Sequence, residues 1–188
     1  AGGDPGKVVF SGVGKTEAEM ATALAAGILS FNVESEAELA TLDAVAGRLG
    51  VRAPVSFRVN PDVDPRTHPY VATGLKESKF GIPFADAPGL YRSAAARRNV
   101  VVRGIDCHIG SQITDLPAYA ETAAKMFELV DRIEAEGTRL DHVDLGGGIG
   151  IRYRDEATID LADYAAAVRG ALGNRSHRLL FEPGRFLV

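Results

Sequence analysis

Six times in this chain a short run rich in β-branched residues ends in a polar or glycine-rich break. VVF (8–10) opens into SGVGKT, FNV (31–33) into ESE, and FRV (57–59) into NPD. Further along, IDC (105–107) leads into HIGSQ, VDL (143–145) into GGGIG, and LLF (179–181) into EPGR. The full runs span 7–10, 28–33, 54–59, 100–109, 140–145 and 178–181, and helical patterns separate them. Strands that alternate with helices imply a parallel sheet covered by helices. Two architectures satisfy that order: an open doubly wound sheet or a (β/α)8 barrel. In both, ligands bind at the C-terminal edge of the strands. Polar breaks repeated on that one edge therefore predict a site there.

The helical segments carry their own signals. Residues 117–136 place Tyr119, Ala123, Met126, Phe127, Val130 and Ile133 on one face, with Asp115 as N-cap and Pro117 in the first turn. Thr16 with Glu19, and Ser35 with Glu38, have the spacing of capping boxes. Asp160 and Asp163 mark another start, and Gly27, Gly50 and Gly137 sit where helices should stop. One connection is long: residues 60–83 hold four prolines. Loops of that length often bind or cover a ligand.

Composition narrows the partners. A net charge of −4 with interspersed signs leaves no basic patch for nucleic acid. No apolar run approaches the roughly 18 residues of a membrane span. A single cysteine, Cys107, excludes an internal disulfide and fits a reducing cytoplasm. The histidines, His68, His108, His142 and His177, are scattered and suggest no metal site.

The breaks differ in chemistry. GVGKT suggests a phosphate-binding P-loop, but the first glycine of that motif would fall at position 9, which is Val9. It reads instead as a strand-to-helix turn capped by Thr16. GGGIG lets backbone N–H groups approach a bulky anion, although the dinucleotide pattern fails because position 151 is isoleucine. EPGR puts a carboxylate, a glycine N–H and a guanidinium in one turn. HIGSQ groups an imidazole, a hydroxyl and an amide around Gly110, while Cys107 points by alternation into packing.

With these stretches in order, the chain resembles the diaminopimelate decarboxylases, a branch of the fold-type III pyridoxal-phosphate decarboxylases. VVFSGVGKT, FNVES, FRVNPDVDPRTHPYVATGLKESKFGI, GIDCHIGSQI, DLGGGIGIRY and FEPGR carry the resemblance. The long loop is its most specific part; HIGSQ and EPGR are shared with relatives such as ornithine decarboxylase. The resemblance implies an α/β fold, a partial (β/α)8 barrel holding strands three to eight of the eight. On that reading residues 1–188 form an incomplete pyridoxal-phosphate-binding barrel domain. The first strands, which bear the lysine that binds the cofactor covalently, and a C-terminal β-rich domain would lie outside it.

The same resemblance implies site residues. His108 stacks on the cofactor ring and Glu182 pairs with its ring nitrogen; these two are the catalytic candidates. Ser111, Gly146, Gly147, Gly148 and the Gly184 amide surround the phosphate, with Pro183 beside them. Arg185 lies at the cofactor and helps to bind the substrate carboxylate. The implied activity is decarboxylation of meso-diaminopimelate to L-lysine and CO2 by a cytoplasmic homodimer, with the 188 residues alone inactive. Another fold-type III amino-acid decarboxylase and a non-catalytic pyridoxal-phosphate-binding barrel are the alternatives.

Overall fold

The structure, a computed structural model, describes residues 2–64, 80–155 and 157–188. Most of the long 60–83 connection, residues 65–79, therefore lies outside the described residues. The strands are β1 (Val9–Phe10), β2 (Ser30–Val33), β3 (Ala53–Asn60), β4 (Ile82–Pro83), β5 (Val100–Asp106), β6 (His142–Gly147) and β7 (Arg178–Glu182). The helices are α1 (Glu17–Ala26), α2 (Glu36–Leu49), α3 (Ala87–Ala95), α4 (Leu116–Ala135), α5 (Leu161–Leu172) and the short α6 (Gly184–Leu187). Among the described residues the strands pair in parallel, in the order β1-β2-β3-β5-β6-β7. The sequential order of neighbours is that of a barrel wall, and the sheet curls as a half-barrel. β4, a two-residue addition that pairs with the end of β3, has no counterpart among the predicted runs.

Local chemistry explains the helix ends. At α1 both halves of the capping box form: the Glu19 N–H donates to Thr16 Oγ1, and the Thr16 N–H donates to the Glu19 carboxylate. At α2 only half of the predicted box forms. The Glu38 N–H donates to Ser35 Oγ, but the Glu38 carboxylate is taken by Lys15 and by the Glu34 N–H. A buried ammonium outcompetes a cap at the helix surface, because unpaired charge in the interior is the costlier alternative. Asp115 and Asp160 cap α4 and α5 as expected.

The two faces of the sheet differ. Phe57 packs edge-on against Tyr91 of α3 at 4.9 Å, so the odd-numbered residues of β3 face the helices. The predicted apolar face of α4 is buried throughout. On the concave face, Ser30, Ser56 and His142 form a hydrogen-bonded chain, with both O···O and O···N separations 2.8 Å. Gly104 is what admits the imidazole: a Cβ there would lie 2.4 Å from His142 Nε2. Alternation puts Asn32, Arg58, Asp106 and Asp144 on that same face, one step nearer the C-terminal edge. Bulky aliphatic layers usually fill a barrel interior. Here the concave face is polar and becomes anionic toward the edge where the site was expected.

Candidate active site

Residues from three strand ends meet around a cavity of about 180 Å³. β5 supplies His108, Ser111 and Gln112; β6 supplies Gly148 and Ile149; β7 supplies Glu182, Pro183, Gly184 and Arg185. Seven of the nine residues singled out by sequence thus line one cavity, and Gly146 and Gly147 do not. A fourth strand end takes part through a support that sequence reasoning missed. Ser11, just past β1, donates to Glu182 Oε1 at 3.0 Å, and Asn32 Nδ2 donates to Ser11 Oγ at 3.0 Å. Ser11 is the first polar residue after its apolar run, so the edge rule could have found it.

His108 is held as a neutral ring. Burial, and then the Arg58 charge, lower its pKa from the ordinary 6.5 to about 4. The Gly147 N–H points at Nδ1 from 3.4 Å, which makes Nδ1 the acceptor and leaves the proton on Nε2. A neutral imidazole fixed from behind offers a flat face without adding a positive charge beside a cationic ring.

The glycines of DLGGGIG divide into two roles. Gly146 donates its N–H to Asp144 Oδ1 at 2.9 Å, and Gly147 directs its own at His108. Neither amide faces the cavity. Both positions exist for close strand approach: a Cβ would fall 2.3 Å from the Cys107 carbonyl oxygen at Gly146, and 1.9 Å from that of Glu182 at Gly147. Gly148 lines the cavity, and its Cβ would strike the Gly110 carbonyl oxygen at 2.0 Å. Gly184 has open space on its Cβ side, so its backbone can be approached closely.

Next to the cavity sits an unusual concentration of acid. Asp106, Asp144 and Glu182 each place a carboxylate oxygen within 4.8 Å of the others. Like charges at that separation repel by about 3 kcal/mol at an effective dielectric near 20. Burial, and then the Glu182 charge, push Asp144 up to about 7. Burial and the neighbouring Asp144 and Glu182 hold Asp106 well above the usual carboxylate range. Arg58, whose charge opposes that shift at Asp106, is engaged by Glu34 at 3.1 Å. Asp106 Oδ1, Asp144 Oδ2 and Asn32 Oδ1 have no hydrogen-bond partner among the described residues. Orphaned buried acceptors of this kind call for a donor, and two of them belong to the carboxylates beside Glu182.

The remaining motifs fall outside the site. Lys15 is buried and donates to the Gly12 and Asn32 carbonyls at 2.7 Å and to Glu38 at 2.8 Å. It ties the β1 turn to α2 and leaves no ammonium for phosphate. Cys107 is buried in the core, its thiol pKa raised by desolvation. No helix among the described residues is long and apolar enough to cross a membrane.

A phosphorylated heteroaromatic cation asks for N–H and O–H donors, a flat partner and a carboxylate. Ser111, the Gly184 backbone, the His108 ring, Glu182 and the Arg185 guanidinium supply that set within one cavity, so the residues fit pyridoxal phosphate. Comparison with known proteins agrees. Residues 1–188 match the family described as pyridoxal-dependent decarboxylase, pyridoxal binding domain. The chain is 55% identical over 188 residues to a diaminopimelate decarboxylase of Neisseria meningitidis serogroup B, covering all of this chain and 45% of that one. It is 54% identical to that of Pseudomonas aeruginosa, again over 100% of this chain and 45% of the relative. A crystal structure of diaminopimelate decarboxylase from Helicobacter pylori complexed with L-lysine superposes with a TM-score of 0.95 at 41% identity, over 98% of this chain and 47% of that one. The chain therefore spans somewhat under half the length of the relatives it matches.

Proposed function

The chain belongs to the pyridoxal-dependent decarboxylases, through their pyridoxal binding domain, and from that premise we propose that it forms the cofactor-binding half-barrel of a diaminopimelate decarboxylase. The observation that carries the proposal is convergence: His108, Ser111, Gly148, Glu182, Gly184 and Arg185, distant in sequence, line one cavity. The substrate class rests on the relatives, named diaminopimelate decarboxylases at 54–55% identity.

Pyridoxal phosphate, when bound, supplies the electron sink for the pair left behind as CO2 departs. The work of this chain is to hold and polarise. Glu182, its Oε1 fixed by Ser11, accepts a hydrogen bond from a protonated ring nitrogen and keeps that proton in place. His108 packs its neutral face on the ring. Ser111 and the backbone of Gly148 and Gly184 take the phosphate. Arg185, exposed at the rim, attracts carboxylate groups. The acid cluster behind Glu182 disfavours further negative charge and so favours cationic groups at the mouth. We propose further that the full-length protein is a cytoplasmic homodimer, as its resemblance to the decarboxylase family implies.

The test uses the full-length protein with added pyridoxal phosphate. Incubation with meso-diaminopimelate should release CO2 and L-lysine in equal amounts. Turnover of ornithine or arginine in its place would replace the substrate assignment. Tight cofactor binding without decarboxylation of any of these would favour a non-catalytic barrel.

A further inference from the structure

Gln112 stands out because its backbone is strained and its side chain is fully employed. Its φ is +57°, a left-handed conformation uncommon for a residue with a side chain. Strain of that kind persists only where the surroundings over-determine it. Here the cause is visible. The carboxamide Nε2 donates to the Ile151 carbonyl at 2.5 Å, and the Ile151 N–H donates back to Oε1 at 3.2 Å. The side chain imitates a peptide unit and bonds both the N–H and the carbonyl of one residue.

That pairing extends a short ladder. The Ile113 N–H donates to the Gly148 carbonyl at 2.8 Å, and the Gly150 N–H to the Ile113 carbonyl at 2.9 Å. The loop after β5 and the loop after β6 are thus knit over residues 112–113 and 148–151. Gly148, whose carbonyl forms one of these rungs, lines the cavity together with Ser111 and Gln112. Gly148 cannot hold the register by packing alone, since it has no side chain.

We infer that Gln112 is a positioning residue that fixes the Ser111 and Gly148 edges of the phosphate cradle by clamping the main chain of Ile151. The inference rests on the reading of this cavity as a phosphate cradle. Only an amide serves: glutamate keeps the acceptor but sets its charge against the Ile151 carbonyl, and asparagine is one methylene short of both partners.

The experiment measures the dissociation constants of pyridoxal phosphate and of unphosphorylated pyridoxal for the full-length protein, in wild type, Gln112→Asn and Gln112→Glu. Wild type should favour the phosphorylated form. Both variants should lose about tenfold or more of that preference, the worth of one lost hydrogen bond, while pyridoxal affinity and melting temperature stay close to wild type. Hydrogen exchange at the Ile151 amide should quicken in Gln112→Asn, which loses the acceptor. Variants that keep the full phosphate preference overturn the clamp, as do variants that weaken both ligands equally, which marks a general defect. A wild type that binds both ligands equally overturns the cradle reading itself.

Discussion

The larger cavity of the half-barrel, about 1020 Å³, lies at the N-terminal ends of the strands, and the smaller, about 180 Å³, at the C-terminal mouth. The larger is lined by Arg52, Arg103, Asp141 and His177, and each has a partner. Arg103 pairs with Asp141 at 2.8 Å, Arg52 donates to the Val100 carbonyl, and His177 meets Glu134 at 3.1 Å. The mouth holds more unmet chemistry: the carboxylates of Asp106, Asp144 and Glu182 crowd within 4.8 Å, and Asp106 Oδ1 and Asp144 Oδ2 have no hydrogen-bond partner among the described residues. Volume ranks these two regions in one order and chemical need in the other. Structural ion pairs that face solvent are cheap to keep, whereas buried unpaired charge persists where it does something.

This contrast can be broken by substitution. The largest effect is expected from Glu182→Gln in the full-length enzyme. On the proposed function it removes the carboxylate that would hold a ring proton, so kcat should fall by about 10²–10⁴-fold with little change in melting temperature. Wild-type turnover in that variant would empty the mouth of its catalytic role. Second comes Lys15→Ala. Its Nζ is the ion partner of Glu38, with side-chain exposures of 1% and 10%. Leaving that carboxylate buried without its counter-charge should cost about 3–5 kcal/mol, read from urea unfolding. A loss under about 1 kcal/mol, the size of a surface pair, would contradict the burial described here.

The third expectation concerns acid. Burial lowers His142 from the ordinary 6.5 to about 4. Its folded pKa is depressed, so the stability it contributes is whole above pH 6.5 and is lost as pH falls toward 4. A shift of that size corresponds to about 3 kcal/mol. Asp144 acts oppositely. Its pKa is raised to about 7, so its burden is present at alkaline pH and lifts as pH falls through 7 toward 4. The two effects offset each other in wild type. Asp144→Asn should expose the histidine loss as a steeper fall in unfolding free energy between pH 6.5 and 4. A curve parallel to wild type would contradict it. The smallest effect is expected at the other end: Arg103→Ala, whose pair is about half exposed on both sides, should change stability by no more than about 0.5 kcal/mol.

The sequence was most informative where one rule repeated. The six runs, the parallel order and the C-terminal edge were all legible because each break follows its strand directly. Residues whose meaning is a long-range partner were not. Lys15 reads locally as part of a turn; only the fold brings Glu38 and the Asn32 carbonyl to it. The Ser30–Ser56–His142 chain joins three strands and has no local signature. Gly146 and Gly147 show the opposite difficulty. Their pattern suggested amides turned toward phosphate, yet the neighbouring carbonyls of Cys107 and Glu182 explain why no side chain fits there.

On the proposed function the mouth, and not the larger cavity, receives the cofactor. A titration of the full-length protein with pyridoxal phosphate tests it directly, comparing wild type, Ser111→Ala combined with Arg185→Ala at the mouth, and Arg52→Ala combined with Arg139→Ala at the opposite end. Wild type should bind saturably at one site per chain, with binding weakened by tenfold or more in the mouth variant and unchanged in the other. Binding that survives the mouth variant and is lost with Arg52 and Arg139 would contradict it.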